Sequence, residues 1–141
     1  MNRISTLKNK LLIATLALLP FAAANASAQN KAIVNVLFAF VANHHAMPAG
    51  KYEVLSSDNS LTFIDTNTRR AQAVLLTTHE TGDAIETRGR LRFLVTGSRY
   101  VLIEARFAGS STHSELLARP KLERSIARGA ETGTTVEVAM K

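Results

Sequence analysis

Apolar and polar residues alternate along much of this chain, which is the pattern of β-strands that bury one face. In the first such run, Val34, Val36, Phe38 and Phe40 alternate with other residues between positions 31 and 41. A period of two with β-branched and aromatic residues is typical of a strand. The same pattern predicts further strands at residues 51–55, 61–65, 71–78, 91–95, 100–107 and 134–140.

Segments rich in turn-forming or polar residues separate these runs. The expected turns or loops are residues 43–50, 56–60, 66–70, 79–85 and 108–112, which hold glycine, proline, serine, asparagine or aspartate. In the first of them Pro48 cannot donate to a strand ladder and Gly50 is free to adopt a positive φ. Tyr52, which follows directly, is expected to anchor this turn in the core.

A glycine–serine pair that begins at Gly97 gives the clearest local signal. It suits a two-residue type II′ hairpin, whose first position requires a positive φ. The hairpin register pairs Phe93 with Leu102 on one face and places Arg92 opposite Ile103 on the other.

One short helix is predicted late in the chain, at residues 120–129. Pro120 suits the first turn, Leu122 and Ile126 are four residues apart, and Gly129 suits the C-terminal cap. Six or seven short strands with one short C-terminal helix predict an all-β, mainly antiparallel fold, either a small sandwich or a barrel. The spacing of the strands does not fix their order.

The first 28 residues have the layout of a secretory signal peptide. Arg3, Lys8 and Lys10 precede an apolar stretch from Leu11 to Ala24, and a small-residue cleavage pattern ends at Ala28. The alternative is a membrane anchor, but the apolar stretch is shorter than the roughly 20 residues that a spanning helix needs. We therefore expect residues 29–141 to form a single β domain that is exported, periplasmic or extracellular, with no membrane span after cleavage.

Composition narrows the chemistry of this domain. The chain has no cysteine, which excludes disulfides and thiol chemistry. Three of its 17 basic residues lie in the expected signal peptide, so the remaining 14 exceed the 11 acidic residues by three. Such a charge is ordinary for a soluble domain and gives no reason to expect a nucleic-acid partner.

Five segments occur in an order that is also found in a group of known proteins: Val34–Phe40, Met47–Val54, Leu91–Phe93, Gly97–Leu102 and Glu115–Leu117. In this order the chain resembles a family of small secreted bacterial proteins of unknown function, numerous in acidobacterial genomes. Met47 stands where that family usually has leucine, and Leu117 where proline is common. The resemblance covers most of residues 29–141 and implies turn and core determinants but no activity.

Candidate catalytic and metal-binding residues are few. The four histidines are His44, His45, His79 and His113, and a zinc site would need three or four converging ligands. His79, Glu80 and Asp83 could join one of the first two histidines only through the fold, so solvated loop histidines are the expectation and no metal site or cofactor is predicted. The sequence also lacks a nucleophile elbow, a phosphate-binding loop and a dinucleotide fingerprint, so no catalytic residues are predicted.

Charged residues on predicted strands offer the remaining candidates. Arg88, Arg90 and Arg92 share one strand face and could bind an anion or a polysaccharide, although a solvated face is the plainer interpretation. Glu104 is a lone carboxylate in an apolar strand, where pairing with a nearby arginine or a position at the end of the sheet is expected rather than catalysis. On that view Glu104→Gln should leave the fold nearly unchanged.

Two functions lead, and an enzyme is third because the sequence shows no polar cleft for one. The first is a non-enzymatic exported domain that binds a partner or belongs to the cell envelope. The second is a small β-barrel that holds an apolar or anionic ligand, at the arginine face or at the barrel mouth. An exposed strand edge would favour the first, by strand pairing with a partner, and an enclosed apolar cavity would favour the second.

Overall fold

The computed structural model describes residues 30–82, 84–117, 119–129 and 132–141. The expected signal peptide lies outside these ranges. The elements are β1 (Asn30–Val36), β2 (Phe40–Ala42), β3 (His45–Met47), β4 (Gly50–Ser57), β5 (Ser60–Asp65), β6 (Ala71–Thr81), β7 (Gly89–Thr96), β8 (Arg99–Arg106), β9 (Thr112–Leu116), α1 (Arg119–Ala127) and β10 (Gly133–Met140). In the described ranges, no helix has the length and apolar character needed to cross a bilayer.

Eight of the strands close into an antiparallel barrel in the order β8-β7-β10-β1-β4-β5-β6-β9, with β9 pairing back onto β8. The two other strands form a hairpin beside it. In this hairpin β2 runs parallel to β8, with Val41 opposite Val101, and β3 pairs with β2. The all-β, mainly antiparallel class is confirmed, whereas the expected six or seven strands are ten.

Three stretches differ from the sequence prediction. The first predicted strand is interrupted at residues 37–39, where Phe38 stacks on Tyr100, and resumes as β2 at Phe40. Strand β3 lies in an expected turn, and β6 continues to Thr81, into an expected loop. Strand β9 was missed because its polar residues do not alternate with apolar ones; His113 is nevertheless buried where β9 closes the barrel.

The hairpin at Gly97 forms with the predicted register, but only near its turn. Gly97 has a φ of 60° and Phe93 pairs with Leu102. A β-bulge then shifts the register, so that Arg92 lies opposite Glu104 rather than Ile103. A bulge inserts one unpaired residue and thereby re-aims the side chains that follow. This one-residue shift is what brings Arg92 and Glu104 together.

Apolar side chains fill the barrel interior. The largest fully buried ones are Tyr52, Phe63, Phe93, Leu61, Leu75, Leu91, Leu102 and Leu116. The ring of Phe40 lies 5.2–6.2 Å from the rings of Tyr52, Phe63 and Phe93, in the edge-on and tilted arrangements that aromatic rings prefer. The Tyr52 hydroxyl donates to the Pro48 carbonyl at 2.6 Å, which confirms the expected anchor.

The helix forms where the sequence predicts it and packs on the outside of the barrel. Gly129 follows it with a φ of 69°, as a C-terminal cap requires. Leu94 and Ile103 are buried but do not belong to the interior cluster. A Cβ atom on Gly133 would lie 2.6 Å from Ile126 Cδ1 and 3.0 Å from Leu94 Cδ1, so the helix approaches β7 and β10 closely. The domain thus has an interior core and a second apolar layer beneath α1.

Candidate functional site

A cleft of about 600 Å³ opens between β6, β8, the β2–β3 hairpin and α1. This volume is within the range of ligand-binding pockets, roughly 300–1,000 Å³. Its apolar lining consists of Val41, Val74, Leu75, Leu76, Val101 and Leu117, and its polar lining of Asn43, His44, His45, Arg99, Lys121 and Ser125.

Several of the apolar residues in the cleft are exposed. Val74 is 60% exposed, Leu76 63% and Leu117 53%, whereas Leu75, between the first two, points into the core. Single exposed apolar side chains are common in soluble proteins, but a group of them around one depression marks an interaction site. The cleft therefore lies on the outer face of β6.

The cleft also borders an unpaired edge of β6. Strand β6 pairs with β5 along its first half, but with β9 only from Thr77 onward. The Thr77 N–H donates on the β5 side, whereas the Leu76 carbonyl accepts from Asn43 on the opposite side. Successive residues of a strand direct their main-chain groups to alternate edges, so Val74 directs its groups the same way as Leu76. Among the described residues, no strand pairs with Val74 on that edge.

The turn of the β2–β3 hairpin touches the same edge. Asn43 and His44 both have positive φ, 43° and 76°, which a two-residue hairpin turn of type I′ requires. Asn43 Nδ2 donates to the Leu76 carbonyl at 2.7 Å. Its Oδ1 is buried and has no hydrogen-bond partner among the described residues. The turn thus holds a free acceptor beside the unpaired edge.

The charged residues of the cleft are basic. Arg99 and Lys121 line it together with His44 and His45, and the lining contains no aspartate or glutamate from the described part of the chain. Complementary charge gives an interface its orientation and speeds association. A molecule with an apolar body and an anionic group matches this surface.

A different region of the barrel surface is built from ion pairs. Glu104 is fully buried and contacts three guanidinium groups: Arg92 at 3.3 Å, Arg119 at 3.1 Å, and Arg106. Burial by itself would raise the pKa of Glu104, but the hydrogen bond and the charge of Arg106, with Arg92 and Arg119, hold this pKa below its ordinary value. The predicted pairing of Glu104 with an arginine is observed, and the number of its partners makes the residue structurally central.

The three arginines proposed as an anion-binding stripe have different surroundings. Arg90 lies 3.2 Å from Glu86 and 3.3 Å from Glu137, and Arg92 lies 3.3 Å from Glu137. Arg88 is exposed and precedes β7. A ligand-binding stripe at these three arginines remains a prediction. Carboxylates offset the charges of Arg90 and Arg92.

The histidines occupy two places. His44 and His45 are at the cleft, whereas His79 and His113 lie on β6 and β9. His79 Nε2 is 3.3 Å from Ser114 Oγ, which is also 3.2 Å from Ser56 Oγ. Because Ser114 is buried inside the barrel wall, it is a poor candidate for a nucleophile.

The fold also assembles a group of metal-ligating side chains that the sequence did not indicate: Glu80, His113 and Glu115. The sequence analysis left open a different metal site, in which His79, Glu80 and Asp83 would join His44 or His45. Asp83 lies outside the described residues. Register explains the observed group, because Glu80 lies directly opposite His113.

The sequence analysis did not predict the cleft, because the cleft too depends on which strands lie side by side. Val74, Leu76 and Leu117 are apolar residues in or next to strands, and nothing in their pattern separates them from core residues. In a comparison with protein-family models, curated proteins and solved structures, the chain matched none of them.

Proposed function

We propose that the protein is a non-enzymatic, exported binding domain that captures an extended segment of a partner protein in the cleft beside β6. The observation that carries this proposal is the unpaired edge at Val74 and Leu76 within an apolar, basic cleft.

Strand addition suits this edge because it supplies what the edge lacks. Main-chain N–H and C=O groups need hydrogen-bond partners wherever water is excluded. An added strand provides them, and its alternate side chains fill adjacent pockets. Here such side chains would pack on Val74, Leu76 and Leu117, and a donor of the partner would reach Asn43 Oδ1.

The basic lining favours an acidic partner segment. Arg99 is exposed and, within the described ranges, has no carboxylate within ion-pair distance, so its charge is available to a ligand. Lys121 lines the cleft from α1. The expected segment alternates apolar residues with aspartate or glutamate.

Selection from a random 12-residue peptide library displayed on phage tests the proposal. We expect enrichment of sequences that alternate apolar and acidic residues. Affinity of the best peptide for Val74→Pro should fall at least about 10-fold, because proline removes the main-chain donor of a strand edge. Val74→Ala keeps that donor and should weaken binding less. Peptides without this alternation, or equal affinities for the two variants, would contradict the proposal.

The second candidate is a carrier of an amphiphilic anion, which the volume and the mixed lining of the cleft also favour. Dodecyl phosphate is a suitable probe. If calorimetry shows that it binds, Arg99→Glu should weaken its binding, whereas Val74→Pro should weaken it no more than Val74→Ala does, because no main-chain pairing is involved. That pattern, without any enriched peptide, would support the carrier instead.

A further inference from the structure

Glu80, His113 and Glu115 converge on one point of the outer surface, where β6 meets β9. The sheet register sets their positions: Glu80 lies directly opposite His113, and Glu115 is two residues further along the same face of β9. None of the three lines the cleft. We call them the Glu80–His113–Glu115 cluster.

The spacing of the donor atoms suits a shared cation better than direct hydrogen bonds. His113 Nε2 is 3.4 Å from Glu115 Oε1 and 3.8 Å from Glu80 Oε2. Strong charge-assisted hydrogen bonds are shorter, about 2.7–2.9 Å. Two donors that each lie about 2.0–2.1 Å from a tetrahedral Zn²⁺ are roughly 3.3 Å apart. Glu115 Oε1 also accepts from the Arg119 guanidinium, so a bound ion would share this oxygen with Arg119, and Glu80 would have to move closer to complete the site.

Two of the three side chains are held in place and the third is free to adjust. The His113 side chain is 9% exposed and that of Glu115 is 12% exposed, whereas that of Glu80 is 61% exposed. The nearly buried His113 holds its Nε2 atom toward both carboxylates, so that an ion placed between them would meet three ligand atoms. The exposed Glu80 leaves room for water in the remaining coordination positions.

The cluster belongs to a network of ion pairs on the outer surface. In the described part of the chain, this network joins five carboxylates (Glu80, Glu86, Glu104, Glu115 and Glu137) to four guanidinium groups (Arg90, Arg92, Arg106 and Arg119) and the His113 imidazole. Arg119 contacts Glu115, and Arg106 lies opposite His113 with its guanidinium bonded to Glu104 and Glu86.

We propose that the Glu80–His113–Glu115 cluster binds a divalent transition-metal ion of the Zn²⁺ type, with water completing the coordination. One imidazole and two carboxylates suit zinc, whereas Ca²⁺ and Mg²⁺ prefer oxygen ligands alone. The ion joins β6 to β9 next to the closure of the barrel. The bound ion would then stabilise the position of β9, the strand that ends at Leu116 beside the cleft.

Zn²⁺ titration of the metal-free protein by calorimetry tests the site. All variants carry His44→Gln and His45→Gln, so that the exposed histidines of the cleft do not contribute. Glu80→Gln is the main variant, since an exposed side chain can be changed without unfolding the domain, and His113→Gln is the second. His79→Gln is the matched control, because it removes another histidine from the same pair of strands.

We expect one Zn²⁺ per chain, with affinity at least about 10-fold lower in Glu80→Gln and in His113→Gln and unchanged in His79→Gln. At the same Zn²⁺ concentration, the ion should also raise the melting temperature of the parent and of His79→Gln more than that of Glu80→Gln. The proposal is overturned if the parent binds no Zn²⁺, if Glu80→Gln binds as tightly as the parent, or if His79→Gln loses binding equally.

Discussion

The cleft and the ion-pair surface both include residues of β8, yet they differ in almost every physical respect. Where β9 lies between β6 and β8, main-chain edges are paired and arginines meet carboxylates. Beyond Leu116, where β9 ends, the β6 edge is unpaired, Val74 and Leu76 are exposed, and the basic groups of the cleft face no acid within it. The presence of one short strand, β9, thus separates a closed surface from the cleft that we propose as a binding surface.

Removing the central carboxylate of the ion-pair surface should have the largest effect. Glu104→Gln leaves Arg92, Arg106 and Arg119 around a neutral side chain, and we expect it to lower the free energy of unfolding by about 3–5 kcal/mol. Urea unfolding measures this loss. Glu137→Gln is the control, because a half-exposed ion pair contributes only about 0–1 kcal/mol. If Glu104→Gln were as stable as the wild type, Glu104 would contribute little to stability, as the sequence analysis expected.

Two adjacent residues of β6, Leu75 and Leu76, differ in burial: Leu75 lies in the core and Leu76 is exposed at the cleft. Leu75→Ala should lower the free energy of unfolding by about 3 kcal/mol, because Leu75 is buried in the barrel interior. Leu76→Ala should change stability by about 0.5 kcal/mol or less, since Leu76 is exposed, but it should weaken binding of the selected peptide. If Leu76→Ala were as destabilising as Leu75→Ala, the cleft would be part of the core rather than a binding surface.

Acid should lower the free energy of unfolding by protonating carboxylates of the ion-pair surface, and by less than Glu104→Gln or Leu75→Ala does. The described residues of the cleft lining include no carboxylate. The Arg106 hydrogen bond lowers the pKa of Glu86, and Arg106, Arg92 and Arg119 together lower that of Glu104 against its burial. The stability from these groups is therefore present above pH 4.5, the ordinary Glu value, and is lost as the pH falls through the lowered pKa values. Urea unfolding between pH 7 and pH 3 should show a smaller acid loss in Glu104→Gln than in the wild type. Parallel pH profiles would indicate that Glu104 does not contribute to the loss.

Local signals predicted the elements that depend on neighbouring residues. Phe93 and Leu102 pair as the Gly97 turn requires, Tyr52 anchors its turn, and Gly129 caps the helix. The same reasoning failed at His113 and Ser114 of β9, because polar residues enter a barrel wall only when distant partners satisfy them. It also failed beyond the bulge at Arg92, since one extra residue reverses the face of each side chain that follows.

The sequence by itself determined most of the strands, the hairpin turn at Gly97 and the approximate position of the helix, because alternation and turn chemistry act over a few residues; it did not indicate β3 or β9. Only the tertiary structure decided that the sheet closes into a barrel, that Glu104 meets three arginines, and that Val74 and Leu76 border an open edge. Each of these depends on which distant strand lies alongside. Whether an apolar residue becomes core or binding surface is therefore set by its neighbours across the sheet, which a strand's own pattern does not encode.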